Sequence, residues 1–351
     1  MRSVFQKYVI SIGLGALFIW LAFRNEDWSD FGQRLEGLLT DGRATGLLVL
    51  YTVLFLAGHA IRIVRWGVLV RALGPVKWSE IVATGSVGYM CIIVFPFRLG
   101  ELVRPYLIGG KNGITVSGAL ATVVVERVID GLLFVGLFFT FISILPPTGD
   151  PKVEVAKVTA YIAGAIFLGA LIVLIGGYIA RDFTVRVIER IGNMVHKGLT
   201  AKVVGLLDAF LEGLKILPDK KRISLFFLYT VLYWAAVGMG MSVMGQATGI
   251  PEVGAMEGFA LLAVLVVGIM IPAGPGFTGT FEAALAVGFS LLVLSPESAQ
   301  NITLYTLVLH VIQLVVQVLL GAMFLLTGRV QLKGALGGGA VETAEAEGGV
   351  S

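Results

Sequence analysis

From Ile223 to Thr327 the chain runs for 105 residues without a single lysine or arginine. No soluble domain can be built from such a stretch, because too little charge is left to cover its surface. The rest of the sequence agrees: 57% of the 351 residues are hydrophobic and only 14% are charged, against roughly 25% in ordinary soluble domains. Mean hydropathy is +0.91. Soluble globular, disordered and nucleic-acid-binding classes are poor fits, and the net charge of +3 must first be placed relative to a membrane. Cys91 is the one cysteine, so an intrachain disulfide or multi-cysteine metal site is ruled out. The three scattered histidines, His59, His196 and His310, suggest no zinc cluster, and no cofactor is expected.

Crossing about 30 Å of hydrocarbon takes roughly 20 apolar residues. Six segments come close: Tyr8 to Phe23, Ala44 to Ile61, Val128 to Leu145, Val158 to Ala180, Ile223 to Ala247 and Ile302 to Thr327. The first follows Arg2 and Lys7 as a signal peptide would, but no small-residue cleavage site follows it, so a retained helix is expected. Four further apolar segments are shorter: Ile81 to Phe95, Ile114 to Val125, Gly258 to Ile271 and Phe281 to Leu294. They fall into two pairs, and each pair holds a break, Phe95-Pro96-Phe97-Arg98-Leu99-Gly100-Glu101 and Pro272-Ala273-Gly274-Pro275-Gly276. Proline removes a backbone donor, and freed backbone groups are tolerated at depth only against protein or a wet cavity.

With the amino terminus inside and each pair returning to its own side, the inside segments hold 20 of the 26 basic residues. That positive-inside bias puts both termini in the cytoplasm of a cell-membrane protein. Residues 98–111 and 181–222 are then cytoplasmic, while 24–43, 146–157 and 295–301 are external. The order helix, helix, broken pair, helix occurs twice with opposite orientation, over residues 1–145 and 158–327. This is the plan of an inverted repeat, whose site forms where broken segments meet. Residues 181–222 carry apolar residues at helical spacing among charges, which suits helices on the cytoplasmic face. The Gly/Ala/Glu-rich tail 331–351 is expected to be disordered. The fold expected is an all-α polytopic membrane domain over residues 1–330, with about six full spans and two broken pairs.

Charge within such a domain is costly, at least about 2.5–3.5 kcal/mol at the bilayer centre, so buried charges face a cavity or one another. Arg98, Glu101 and Arg104 share a face at helical spacing, and Glu126, Arg127 and Asp130 lie close behind them. Arginine's planar fork suits phosphate or carboxylate oxygens. One reading is an anionic head-group site made of Arg98, Arg104 and Arg127, oriented by Glu101, Glu126 and Asp130. The other is an internal salt-bridge lattice pinning the broken helices, and one cluster can serve both. Glu282 follows the second break with no cation near it in sequence. Thr306, His310, Gln313 and Gln317 form a polar stripe on the last helix, and Glu282 with His310 is a candidate for coupling or gating. His59, Arg62, Arg65 and Trp66 read as an interfacial anchor ending the second helix. Pro96, Gly100, Pro272, Gly274 and Gly276 permit the breaks. Gly274 to Gly279 matches GxGxxG, but no strand precedes it, so it is no dinucleotide fingerprint. No catalytic residue or metal ligand stands out.

The run Pro96-Phe97-Arg98-Leu99-Gly100-Glu101-Leu102-Val103-Arg104-Pro105, then Glu126-Arg127-Val128-Ile129-Asp130, then Pro272-Ala273-Gly274-Pro275-Gly276 and Glu282, resembles the flippase-like family. That family is the transmembrane domain of lysylphosphatidylglycerol synthases, or multiple peptide resistance factors, and their stand-alone relatives; Arg65-Trp66 also fits it. The resemblance covers about residues 5–330. It implies a stand-alone member without the soluble synthase domain, moving a phospholipid or lipid-linked anionic molecule between leaflets. The alternatives are an intramembrane transferase acting on a lipid-linked donor, and a non-transporting partner of a synthase or glycosyltransferase.

Overall fold

The computed structural model describes residues 28–111, 113–144, 151–192, 219–271 and 274–330, with isolated positions between 13 and 24 and between 200 and 211. Its described residues form helices and no strand. The chain is an all-α polytopic membrane protein. Most of the first expected span (Tyr8 to Phe23), Pro272, the segment around His196 and the tail 331–351 lie outside the described residues.

A short helix, α1 (Phe31–Thr40), leads into α2 (Gly42–Leu73), which Asp41 caps by accepting from the Arg43 and Ala44 amides. α3 (Trp78–Val94) stops before Pro96, where Phe95 is extended as a residue before proline must be. A 3-10 segment (Pro96–Leu102) and the stub α4 (Val103–Ile108) turn back, and α5 (Val116–Ile144) and α6 (Pro151–Ile179) follow. After α7 (Arg181–Gly192) come α8 (Lys220–Ala247), α9 (Ala255–Ile269), a 3-10 turn (Pro275–Phe277), α10 (Thr280–Ser290), α11 (Pro296–Ala299) and α12 (Ile302–Leu326). Three of these, α2, α8 and α12, are long and apolar enough to cross a membrane among the described residues, and only 22%, 33% and 17% of their apolar windows are buried in protein. Residues such as Val53, Val231, Val315 and Leu319 stay exposed. Lipid is the solvent that suits such faces.

Two expected boundaries move. The second helix does not end at Ile61; it runs to Leu73 and stops only at Gly74-Pro75. Arg65 and Trp66 are therefore wholly buried, not anchored at an interface. Ile114 to Val125 is likewise no separate short segment, because α5 continues through Glu126, Arg127 and Asp130 as one 29-residue helix. The returning arm of the first pair is instead Pro96–Ile108.

The packing is reciprocal. α2 lies along α8, α3 packs on α12, α9 packs on α5, and the two 3-10 segments touch each other. Close crossings use small residues, as at Gly321 against Met90 and Gly258 against Ser242. The main apolar core gathers Phe134, Trp234, Met241, Leu261, Leu285, Tyr305 and Leu309 from α5, α8, α9, α10 and α12.

Candidate functional site

Continuity of α5 decides the chemistry, because it carries Glu126 and Asp130 into the middle of the bundle. Arg65 on α2 grips Asp130 with both arms of its fork, Nη1 to Oδ1 at 2.6 Å and Nη2 to Oδ2 at 3.0 Å. Trp234 Nε1 donates to Asp130 Oδ1 at 2.9 Å and Arg127 Nη2 to Oδ2 at 3.2 Å, so this carboxylate accepts four hydrogen bonds. Glu126 lies 3.3 Å from Arg65 Nη2 and accepts from Arg104 Nη1 at 3.0 Å. Arg104 Nη1 also donates to the Tyr89 hydroxyl at 2.8 Å. Arg65, Arg104 and Glu126 are completely buried. Each charge here is acceptable only because the others are present. The expectation that Arg104 faces a ligand changes accordingly: it does not line the cavity described below, and its guanidinium sits between Tyr89, Glu126 and the Trp66 ring.

Arg98 stands apart on the break itself. Its Nε donates to Glu101 Oε1 at 2.8 Å and its Nη1 to the Ile269 carbonyl, at the last residue of α9. A cation there meets the negative end of a helix dipole. Its backbone is left-handed, φ 58°, and Phe277 in the second break matches it at φ 57°. Gly100 makes this turn possible, since a Cβ there would lie 2.1 Å from the Cys91 carbonyl carbon in α3. In the second break Gly274 is extended and Gly276 left-handed, which carries the chain into α10.

The breaks meet at a cavity of about 330 Å³. Its polar lining residues are Arg62, Tyr89, Arg98, Glu101, Arg127, Asp130, His310, Gln313 and Gln317. Its apolar lining includes Phe55, Val237, Leu262, Leu265, Val266, Ile269 and Leu314. Arg127 is about one-third exposed and Arg98 one-fifth. Arg62 stacks on the Tyr89 ring 3.6 Å from its centre, and its Nη2 donates to Gln317 at 2.6 Å and to His59 Nδ1 at 3.0 Å. His310 links this lining to the second break. Its Nδ1 is 2.7 Å from Glu282 Oε1, its Nε2 2.7 Å from the Gly276 carbonyl, and its ring stacks on Phe281. Glu282 Oε2 also accepts from the Gly279 amide at 2.6 Å. Glu282, with Ser290, Thr303 and Thr306, lines a second cavity of about 370 Å³. The Glu282–His310 contact therefore joins the linings of the two.

The model of the lysylphosphatidylglycerol synthase transmembrane region matches residues 8–321. The chain belongs to that family. A curated relative is a protein named Glycosyltransferase AglD from Haloferax volcanii, 22% identical over 281 residues. The aligned stretch covers 72% of this chain and 45% of that protein, so the chain spans about half the length of the curated relative it matches. No solved structure matches it. In this family member, Arg98, Glu101, Arg127 and Asp130 reach one cavity, while Arg104 and Glu126 pack behind it. Arg62, Arg65, Tyr89 and Trp234 join them although sequence reasoning gave none of them a role in the site. The available signal was the apolar pattern Ile61, Ile63, Val64, Val68, Leu69 and Val70, which extends the helix past the arginines.

Proposed function

We propose that the protein is a lipid translocase, moving a phospholipid or lipid-linked anionic molecule between leaflets of the cell membrane. The observation that carries this is a cavity lined by both arginines and aliphatic residues, where two helix breaks meet. Arg98, Arg127 and Arg62 hold the anionic head group; Glu101 and Asp130 set their orientation. Arg65, Arg104 and Glu126 keep the lining rigid from behind. Glu282 and His310, between the two cavities, couple or gate passage. The inverted repeat of residues 1–145 and 158–327 belongs to the same reading, and the reciprocal packing of α3 on α12 and α9 on α5 supports it. A cytoplasmic placing of both termini and of residues 181–222 is part of the same proposal, and cysteines introduced at Ser29 and Asn193 of a Cys91→Ala background test it: they should label from opposite sides.

The functional test is reconstitution into vesicles with fluorescent anionic phospholipids. An Arg98→Lys, Arg127→Lys double variant keeps the charges but loses the forks. It should move lipid about tenfold more slowly, as expected for weakened charge-assisted bonds, with its melting temperature in detergent unchanged. Normal transport by this stable variant would refute the head-group site. The name of the relative, Glycosyltransferase AglD, favours a second reading, a membrane partner of a glycosyltransferase or a transferase in its own right. Product formation from a lipid-linked donor by the purified chain, without lipid movement, would select it.

A further inference from the structure

The charges around the first break do not cancel. Among the described residues, five guanidinium groups converge there, Arg62, Arg65, Arg98, Arg104 and Arg127, against three carboxylates, Glu101, Glu126 and Asp130. Two positive charges are left over. Neither histidine alters that balance. His59 Nδ1 faces the Arg62 guanidinium, which only donates, so that nitrogen is an acceptor and the ring is neutral. At His310 the Gly276 carbonyl only accepts, so Nε2 carries a hydrogen. The 2.7 Å contact between Nδ1 and Glu282 Oε1 then contains one proton. Imidazolium with carboxylate, or imidazole with carboxylic acid, sums to zero alike. The remaining titratable groups on the lining, Tyr89 and Tyr233, are phenols.

An uncompensated pair of charges beside an aliphatic lining is unfavourable until an anion arrives. The cluster also keeps donors that no protein group satisfies. Nε of Arg62 and Nε of Arg127, both on cavity-lining side chains, are buried without a hydrogen-bond partner. We infer that the cavity is built for a doubly charged phosphate: the head of a lipid phosphomonoester rather than a phosphodiester. A phosphomonoester carries about −1.5 to −2 at pH 7, with a second pKa of about 6, and offers three terminal oxygens. A phosphodiester brings one charge and two free oxygens, and leaves one arginine charge unmatched. The aliphatic lining of Leu262, Leu265 and Val266 selects a phosphate attached to a lipid over a free one. This inference rests on the translocase reading of the same cavity and narrows its substrate.

The test is calorimetric titration of the full chain in detergent with short-chain phosphatidate, short-chain phosphatidylglycerol and inorganic phosphate, at about pH 8 and about pH 5. Phosphatidate should bind about tenfold more tightly than phosphatidylglycerol at the higher pH. That advantage should shrink at the lower pH, as the monoester takes up its second proton, while phosphatidylglycerol binding stays level. Arg127→Gln removes one surplus charge and should bring the two lipids to similar affinity; Arg62→Gln does the same should the first variant fold poorly. Equal binding of both lipids at the higher pH overturns the inference and leaves the anionic head-group site standing. Inorganic phosphate binding as tightly as phosphatidate overturns the lipid assignment. A pH effect shared by both lipids places the titration on the protein and overturns the charge argument. Binding of no lipid overturns the translocase reading as well.

Discussion

At the first break, Pro96, left-handed Arg98 and Gly100 follow one another at every second position; at the second break, Pro275, left-handed Phe277 and Gly279 do the same. The two turns touch, with the Arg98 guanidinium 5.5 Å from the centre of the Phe277 ring. Beyond this shared spacing they differ in how each half ties its returning arm to its last long helix. In the first, Arg104 on α4 reaches Glu126 on α5, and Arg65 extends the contact into a network of several charges. In the second, Glu282 on α10 meets His310 on α12, and the pair carries a single shared proton. The acid and base have changed places. A turn geometry can thus be reused while the charge on it is reassigned, one arm becoming a rigid wall of arginines and the other a neutral, protonated contact between two cavities.

The sharpest break of this comparison is to remove one partner from each arm. Arg65→Met takes from Asp130 its two-armed partner and from Glu126 one of its two arginines in a buried setting, and losing one member of such a network typically costs about 3–5 kcal/mol. Glu282→Gln should cost far less. The amide oxygen can still accept from the Gly279 amide, and its NH2 can donate to a neutral His310 Nδ1, so the loss should stay within about 1.5 kcal/mol. Thermal unfolding in detergent, alongside membrane abundance, measures both. Comparable losses in the two variants would mean that the second arm is also a charge lattice.

The next contrast lies in the turns. Gly100→Ala places a methyl carbon 2.1 Å from the backbone of Cys91, where no side chain can move aside. Overpacking of this kind costs typically about 1–3 kcal/mol, and here it should also displace Arg98. Gly279→Ala adds a side chain at φ 91°, a strain of about 1–2 kcal/mol. Gly100→Ala should therefore lower the melting temperature more and reduce lipid movement beyond what that loss accounts for. The reverse order would show that the first turn yields more easily than the second.

Much of this was legible in the residues. Arg98 and Glu101, then Glu126, Arg127 and Asp130, stand out because charge is rare in so apolar a chain, and the prolines and glycines mark both breaks. Arg65 was misplaced for the same reason that the others were found. A hydropathy reading treats each side chain as though it were alone, so an apolar run that reaches Arg62 and Arg65 looks finished. In the folded chain Asp130 and Glu126 neutralise Arg65 from another helix, and α2 continues to Leu73. The same effect cut α5 in two at Glu126-Arg127. Partners 65 residues apart in sequence leave no trace in a local window, and the surplus of arginine can be counted only after pairing is known.

The smallest difference expected between the halves lies where the returning arm joins the last helix. In the first half, among the described residues, that connection is bridged by the Gly110 amide donating to the Ile114 carbonyl. In the second half a carboxylate does it: Glu252, in the loop before α9, accepts from the Ser295 amide at 3.0 Å and from the Ser298 hydroxyl at 2.6 Å. The Ser298 hydroxyl first, and the Ser295 amide with it, pull the Glu252 carboxyl from 4.5 down to about 2. A group held below its ordinary value stabilises the fold while ionised. That contribution is complete above about pH 4.5 and fades as pH falls toward about 2. Because Glu252 stays partly open to solvent, the effect should be slight. Glu252→Gln keeps an acceptor but cannot titrate, so its melting temperature should fall less than that of the unaltered chain between pH 5 and pH 3. Identical acid profiles for the two proteins would show that this carboxylate does not hold the second half's connection, and the two connections would then be equivalent in their response to acid.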